Sequence, residues 1–162
     1  MPKKKQSPQV QYELGFIIIE EVSISYRYKL HPSQRPQVNC SKDAYEIFKA
    51  VWDFNKIDLQ EDFKVILLNR SNRVLGVASL FTGGVSGAVV DVKLIFVVAL
   101  KAMASCIIVA HNHPSGNLKP SSADEIMVKK IASAGQLLDI KVTDSLIISS
   151  EGFLSFADEG LL

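Results

Sequence analysis

The chain is patterned in short stretches, and the period of each predicts an element. Over residues 16–30 apolar and polar positions alternate: Val22, Ile24, Tyr26 and Tyr28 are set against Ser23, Ser25 and Arg27, the two-residue period of a strand. Residues 1–15 are polar and read as irregular. His31-Pro32-Ser33-Gln34-Arg35-Pro36 is rich in breakers and reads as a loop. Ala44, Ile47, Phe48, Val51 and Trp52 recur at the spacing of one helical face, predicting a helix capped by Ser41 that runs to about Asn55. Residues 61–68 end in Val65-Ile66-Leu67-Leu68, apolar at every position, as expected of a central strand. A turn at 69–72 leads into a second strand over 73–80, and Thr82-Gly83-Gly84 with Gly87 makes a flexible connection. Asp91 then caps a helix to about Met103, followed by a strand over 105–110 and a loop over 111–120. Ser121 or Ser122 starts a helix ending near Leu138; a strand over 142–148, a short edge at 153–156 and a turn over 157–162 complete the chain. This alternation predicts an α/β domain with a mixed sheet in two or three layers.

Composition narrows the picture. A chain of 162 residues, 48% hydrophobic, has material for one well-filled core and is short for two. Residues 1–40 read as an N-terminal extension with an edge strand, and 41–162 as the domain proper. That edge strand could pair with a second copy, so a homo-oligomer is compatible with the pattern. No apolar run reaches the roughly 18 residues of a membrane span. Phe16-Ile17-Ile18-Ile19 is followed by Glu20-Glu21, and the basic start lacks a signal-type apolar region, so a cytoplasmic protein is expected. A formal charge of +1 leaves no basic footprint for duplex nucleic acid; Lys3, Lys4 and Lys5 read as a solvated tail. Cys40 and Cys106 are far apart and form no C-x-x-C, so both are expected to be free.

The chemistry concentrates in His111-Asn112-His113-Pro114-Ser115-Gly116, with Ser121 and Asp124 downstream. Side chains at i and i+2 of an extended chain point the same way, so His111 and His113 can present two imidazoles to one point. Asp124, in the first turn of the next helix, supplies a carboxylate that the helix N-terminus keeps ionised. Two imidazoles and a carboxylate suit zinc, and three protein ligands leave a fourth position open, the catalytic arrangement. Cys106 as a fourth, structural ligand is disfavoured: five residues before His111, it falls on the other face of the strand. Two loop histidines that bind nothing are the plain alternative. The letters His-Asn-His match an HNH nuclease only by accident.

His111-x-His113-x(7)-Ser121-x(2)-Asp124 resembles the JAMM motif of the JAB/MPN metalloprotease superfamily. The fuller string His-Asn-His-Pro-Ser-Gly-Asn-Leu-Lys-Pro-Ser is similar to its bacterial RadC branch. The likeness runs from about Ser41 to Leu162, through Val65-Ile66-Leu67-Leu68-Asn69, Ala134-Gly135-Gln136-Leu137-Leu138 and Gly152-Phe153-Leu154-Ser155-Phe156-Ala157. The resemblance implies a curved mixed sheet flanked by helices in a cytidine-deaminase-like three-layer arrangement, with the metal at a strand end. It also implies a Zn²⁺ hydrolase, one ion per chain, that cleaves a peptide or isopeptide bond in a peptide or protein substrate. The general base of the family matches Glu61 best, with Asp62 as the neighbouring alternative; it takes a proton from the attacking water and passes it to the leaving amine. Ser121 matches the serine that helps stabilise the oxyanion, although Ser121-x-x-Asp124 and Ser122-x-x-Glu125 are also capping-box patterns. Loops 81–90 and 114–120 are the expected determinants of specificity.

The chain departs from longer RadC-type proteins in two ways. It shows no helix-hairpin-helix region in its first 40 residues, and with its neutral charge this argues against direct DNA binding. It also has Val90-Asp91 where relatives often have His-Pro, and Asp144-Ser145 where they often have Asp-His. Asp144 is either a hydrogen-bond partner for a ligand histidine or a surface turn residue. His31, before a proline in a loop, reads as structural or incidental. The rivals to a hydrolase are a non-catalytic zinc-binding scaffold and a DNA-repair accessory protein.

Overall fold

The computed structural model describes residues 11–14, 17–20, 31–84 and 90–162. Strands β1 (Gln11–Leu14) and β2 (Ile17–Glu20) pair with each other, antiparallel, as a separate two-stranded sheet. Residues 11–14 thus form a strand where polarity had suggested irregular chain: the ladder bonds are main-chain bonds, which polar residues make as well as apolar ones. The alternating stretch over 21–30 lies outside the described residues.

The main sheet has five strands in the order β4-β3-β5-β6-β7: β3 (Asp62–Leu68), β4 (Val74–Thr82), β5 (Cys106–Asn112), β6 (Lys141–Ile148) and β7 (Phe153–Ser155). Strands β5 and β6 are parallel and all other neighbours antiparallel, so the sheet is mixed and open. Helix α1 (Ser41–Val51) covers one face, while α2 (Val92–Lys101) and α3 (Ser122–Leu137) cover the other, giving the expected three layers. The central strands β3 and β5 are buried at every position after their first, which explains the apolar runs 65–68 and 107–110 within them. Alternate residues serve alternate cores. Phe63, Val65, Leu67, Ile107 and Val109 pack with Ile95, Phe96 and Ile131 of α2 and α3. Ile66, Leu68, Ile108 and Ala110 pack with Ala44 and Phe48 of α1. Among the described residues no helix is long and apolar enough to cross a membrane.

Several element ends differ from the sequence pattern. Ser41 is the first residue of α1 rather than its cap; the cap position is Cys40, which makes no side-chain cap bond. The helix stops at Val51, and an Asx turn follows, in which Asp53 Oδ1 accepts the Asn55 amide at 3.1 Å. Both α2 and α3 end in Schellman turns with a non-glycine residue at positive φ, Met103 and Asp139. In α3 the amide of Ile140 bonds the Gly135 carbonyl at 2.9 Å. A Cβ on Gly135 would collide with the Ile140 carbonyl oxygen, so this close return requires glycine. The difference that matters most is at β5. It runs through His111 and Asn112, both expected in a loop, because Phe63 of β3 and Ile147 and Ile148 of β6 pair with them.

Candidate metal centre

Three elements meet at one end of the sheet: the C-terminal end of β5, the start of the antiparallel β3, and the N-terminus of α3. His111 is fully buried and faces the α2/α3 side, because it pairs with Phe63. His113 lies two residues on, its amide continuing the ladder to the Ile148 carbonyl at 2.9 Å. Asp124 is the third residue of α3. Ser121 caps that helix in a complete capping box: its Oγ accepts the Asp124 amide at 3.2 Å, and Asp124 Oδ2 accepts the Ser121 amide at 2.7 Å. The serine hydroxyl also donates to Oδ2 at 2.6 Å. The box clamps the carboxylate in one rotamer, turned toward the histidines.

The ligand atoms of His111, His113 and Asp124 all lie within 4.8 Å of one another. His111 Nε2 is 3.1 Å from His113 Nε2 and 3.1 Å from Asp124 Oδ1, and His113 Nε2 is 3.6 Å from Asp124 Oδ2. Tetrahedral zinc with nitrogen donors at its usual bond length separates two donors by about 3.3 Å, so this spacing fits the ion. The tautomer of His113 fits as well. Its Nδ1 lies 2.6 Å from the Asn117 carbonyl, which can only accept, so Nδ1 carries the proton, and Nε2 is the nitrogen whose lone pair the neutral ring turns to the cluster. Gly116, at φ +77°, turns the loop that brings this carbonyl under the ring. Nδ1 of His111 is buried and meets no hydrogen-bond partner among the described residues.

The electrostatics keep the carboxylate of this group ionised. The hydrogen bond to Asp124 raises the His113 pKa above the ordinary value; burial opposes this, and the Asn117 carbonyl and the Glu61 charge add to it. For Asp124, burial pushes upward, but the hydrogen bonds from His111, His113 and Ser121 together hold the carboxyl far below the usual carboxylate range.

Glu61 immediately precedes β3. Extending the Phe63–His111 register by two residues sets it opposite His113, and it lines the same cleft of about 740 Å³ as His113, Ser121 and Asp124. Asp62, the alternative base, points to the other face; its Oδ1 is buried without a partner among the described residues. The cleft has an apolar wall of Val90, Val92, Ile126 and Met127, with Lys119 and Lys130 at its rim. The contribution of α3 to this wall was not apparent from the two loops; of those, 85–89 lie outside the described residues.

One expectation is corrected. Asp144 is neither a partner of a ligand histidine nor a surface turn residue. It is buried, pairs in register with Ile108, and so faces α1, away from the histidines. Its oxygens accept from the Ser145 amide (2.7 Å), Ser155 Oγ (2.7 Å) and the Ala157 amide (3.0 Å). The exclusion of Cys106 holds: it packs among the α1-side residues and lies outside the metal-ligand cluster. Sequence reading also passed over Asn112. The available signal was a polar residue between two histidines that share one face of the strand; it must face the opposite core and find partners there.

Fold and cluster together define a JAB/MPN-type α/β domain with a His-His-Asp group able to hold a metal ion. The RadC-like JAB domain matches residues 38–161, and the chain belongs to that family. It is 43% identical over 125 residues to a UPF0758 protein of Flavobacterium johnsoniae, across 77% of this chain and 53% of that protein. To a UPF0758 protein of Porphyromonas gingivalis it is 40% identical over 133 residues, covering 81% of this chain and 59% of the relative. UPF0758 protein YfjY of Escherichia coli is 36% identical over 123 residues, 74% of this chain and 77% of the relative. The chain therefore spans little more than half the length of the first two relatives.

Proposed function

We propose that this domain is a zinc-dependent hydrolase of peptide or isopeptide bonds, with His111, His113 and Asp124 as ligands. The observation that carries the reading is the convergence of these three side chains with Glu61 in a single cleft. Bound there, zinc would polarise the scissile carbonyl and lower the pKa of an attacking water. Glu61 is the base that takes the proton from that water and returns it to the leaving nitrogen. Ser121 first serves Asp124, to which its only hydroxyl proton is donated. To stabilise an oxyanion it must turn that proton from the carboxylate toward the substrate. The apolar wall of the cleft suits an aliphatic side chain beside the scissile bond.

The test begins with metal content. Protein purified without added zinc is expected to carry about one zinc per chain, lost in folded His113→Ala and Asp124→Ala variants. Peptides and isopeptide conjugates are then screened for cleavage. Glu61→Gln should keep the zinc and lower turnover on the order of 10²–10⁴-fold. No zinc even after supplementation would sink the reading. Zinc without cleavage of any substrate would leave a binding scaffold, and tight, salt-dependent DNA binding by the isolated chain would favour the repair-accessory reading.

A further inference from the structure

Asn112 stands between the two histidines and is fully buried on the opposite face of β5. Its side chain makes three hydrogen bonds, all to one short segment. Nδ2 donates to the carbonyls of Ile57 (2.6 Å) and Gln60 (2.9 Å), and Oδ1 accepts the Asp62 amide (2.7 Å). The pattern determines the amide's orientation, since two carbonyls need a donor and one amide needs an acceptor. It also excludes most substitutes: aspartate offers no donor to the carbonyls, and alanine offers nothing. The bonded groups at Gln60 and Asp62 flank Glu61 directly. On its other side, Glu61 is held by the Gly83 amide, which donates to the Glu61 carbonyl at 2.7 Å.

We propose that Asn112 is a positioning residue for Glu61: it ties the backbone on both sides of the base to the strand that carries His111 and His113. The β3–β5 ladder joins Phe63 to His111 and its register ends there; Asn112 extends the tie past that end, to both sides of Glu61. With Asn112 in place, the backbone of Glu61 is referenced to the same rigid strand as the metal ligands. This inference rests on the metallohydrolase reading, and its test separates the two.

Cobalt is used as a paramagnetic stand-in for zinc, and the ¹³C carboxyl resonance of Glu61, assigned with Glu61→Gln, is followed in wild type, Asn112→Ala and Asn112→Ser. Asn112→Ser is the milder variant, retaining a hydroxyl should alanine fail to fold. In wild type the bound cobalt is expected to broaden the Glu61 signal strongly. In the variants cobalt affinity should change by only a small factor, while the broadening falls severalfold. With a cleavable substrate, kcat should drop on the order of 100-fold with KM nearly unchanged, as for a misplaced catalytic group. Adding Asn112→Ala to Glu61→Gln should lower kcat little further, because both remove one function. Cobalt bound with unchanged Glu61 broadening, or fully additive losses, overturns the positioning role alone. Collapse of the fold in both variants makes Asn112 a folding residue and likewise overturns it. No cobalt bound by the wild type overturns the metal reading, and this role with it.

Discussion

Two carboxylates in this domain, Asp124 and Asp144, have matching inventories and opposite chemistry. Both line a cavity, and both accept from a serine hydroxyl and from the backbone, Asp124 from one amide and Asp144 from two. For each, burial works to raise the pKa. At Asp144 burial prevails over the bonds from Ser155, Ala157 and Ser145, with the nearby Asp158 charge adding to it. At Asp124 the two imidazoles reverse the outcome. Neutral donors satisfy lone pairs without balancing a charge; an imidazole can balance it, and so can a metal ion. The difference separates a carboxylate built into the structure from one arranged for a cation.

The largest effect expected from this contrast is on metal affinity. Asp124→Ala should weaken zinc binding more than about 100-fold, beyond what loss of a ligand's hydrogen-bond partner costs. Asp144→Ala should leave it within a small factor; chelator competition measures both, and a large loss in Asp144→Ala would erase the distinction.

Stability should respond the other way. Asp144→Ala strands two amides and a hydroxyl in the interior, so urea unfolding of the metal-free protein should show a loss of about 2–3 kcal/mol.

Acidification sharpens the contrast by sign. Asp124 has a depressed folded-state pKa: its contribution to stability is present above the unfolded value of 3.8 and is lost as pH falls through the folded one. Asp144 has a raised pKa, so its contribution is present below 3.8 and is lost as pH rises through the folded value. Removing either charge by Asn should therefore change the acid limb of stability against pH in opposite directions. Parallel curves for the two variants would contradict the assignment. Zinc affinity should also fall as pH drops through the raised pKa of His113, whose proton the ion must displace.

The smallest effects come from the neighbouring serines. Ser155→Ala removes the hydroxyl bond to Asp144 and should cost about 1 kcal/mol. Ser145 Oγ is buried without a partner among the described residues, so Ser145→Ala should be neutral or stabilising by thermal unfolding. A loss for Ser145→Ala equal to that of Ser155→Ala would show that its hydroxyl is satisfied after all.

The sequence by itself determined the His-His-Asp group and the order of elements from α1 onward. His111 and His113 share a face through the strand period, and Ser121-x-x-Asp124 announces a helix start; both are local rules acting over a few residues. The apolar run of β3 declared a central strand, and that of β5 a buried one, for the same reason. What it left undecided depends on contacts far apart in the chain. Whether His111 and Asn112 belong to strand or loop was settled by pairing with Phe63, Ile147 and Ile148. The face of Asp144 was settled by its register with Ile108, and the place of Glu61 by the pairing of β3 with β5 and by contacts to Asn112 and Gly83. Periodicity reports which way a side chain points relative to its neighbours in sequence. Only the folded sheet decides what stands opposite it, because register is set between strands and not within one.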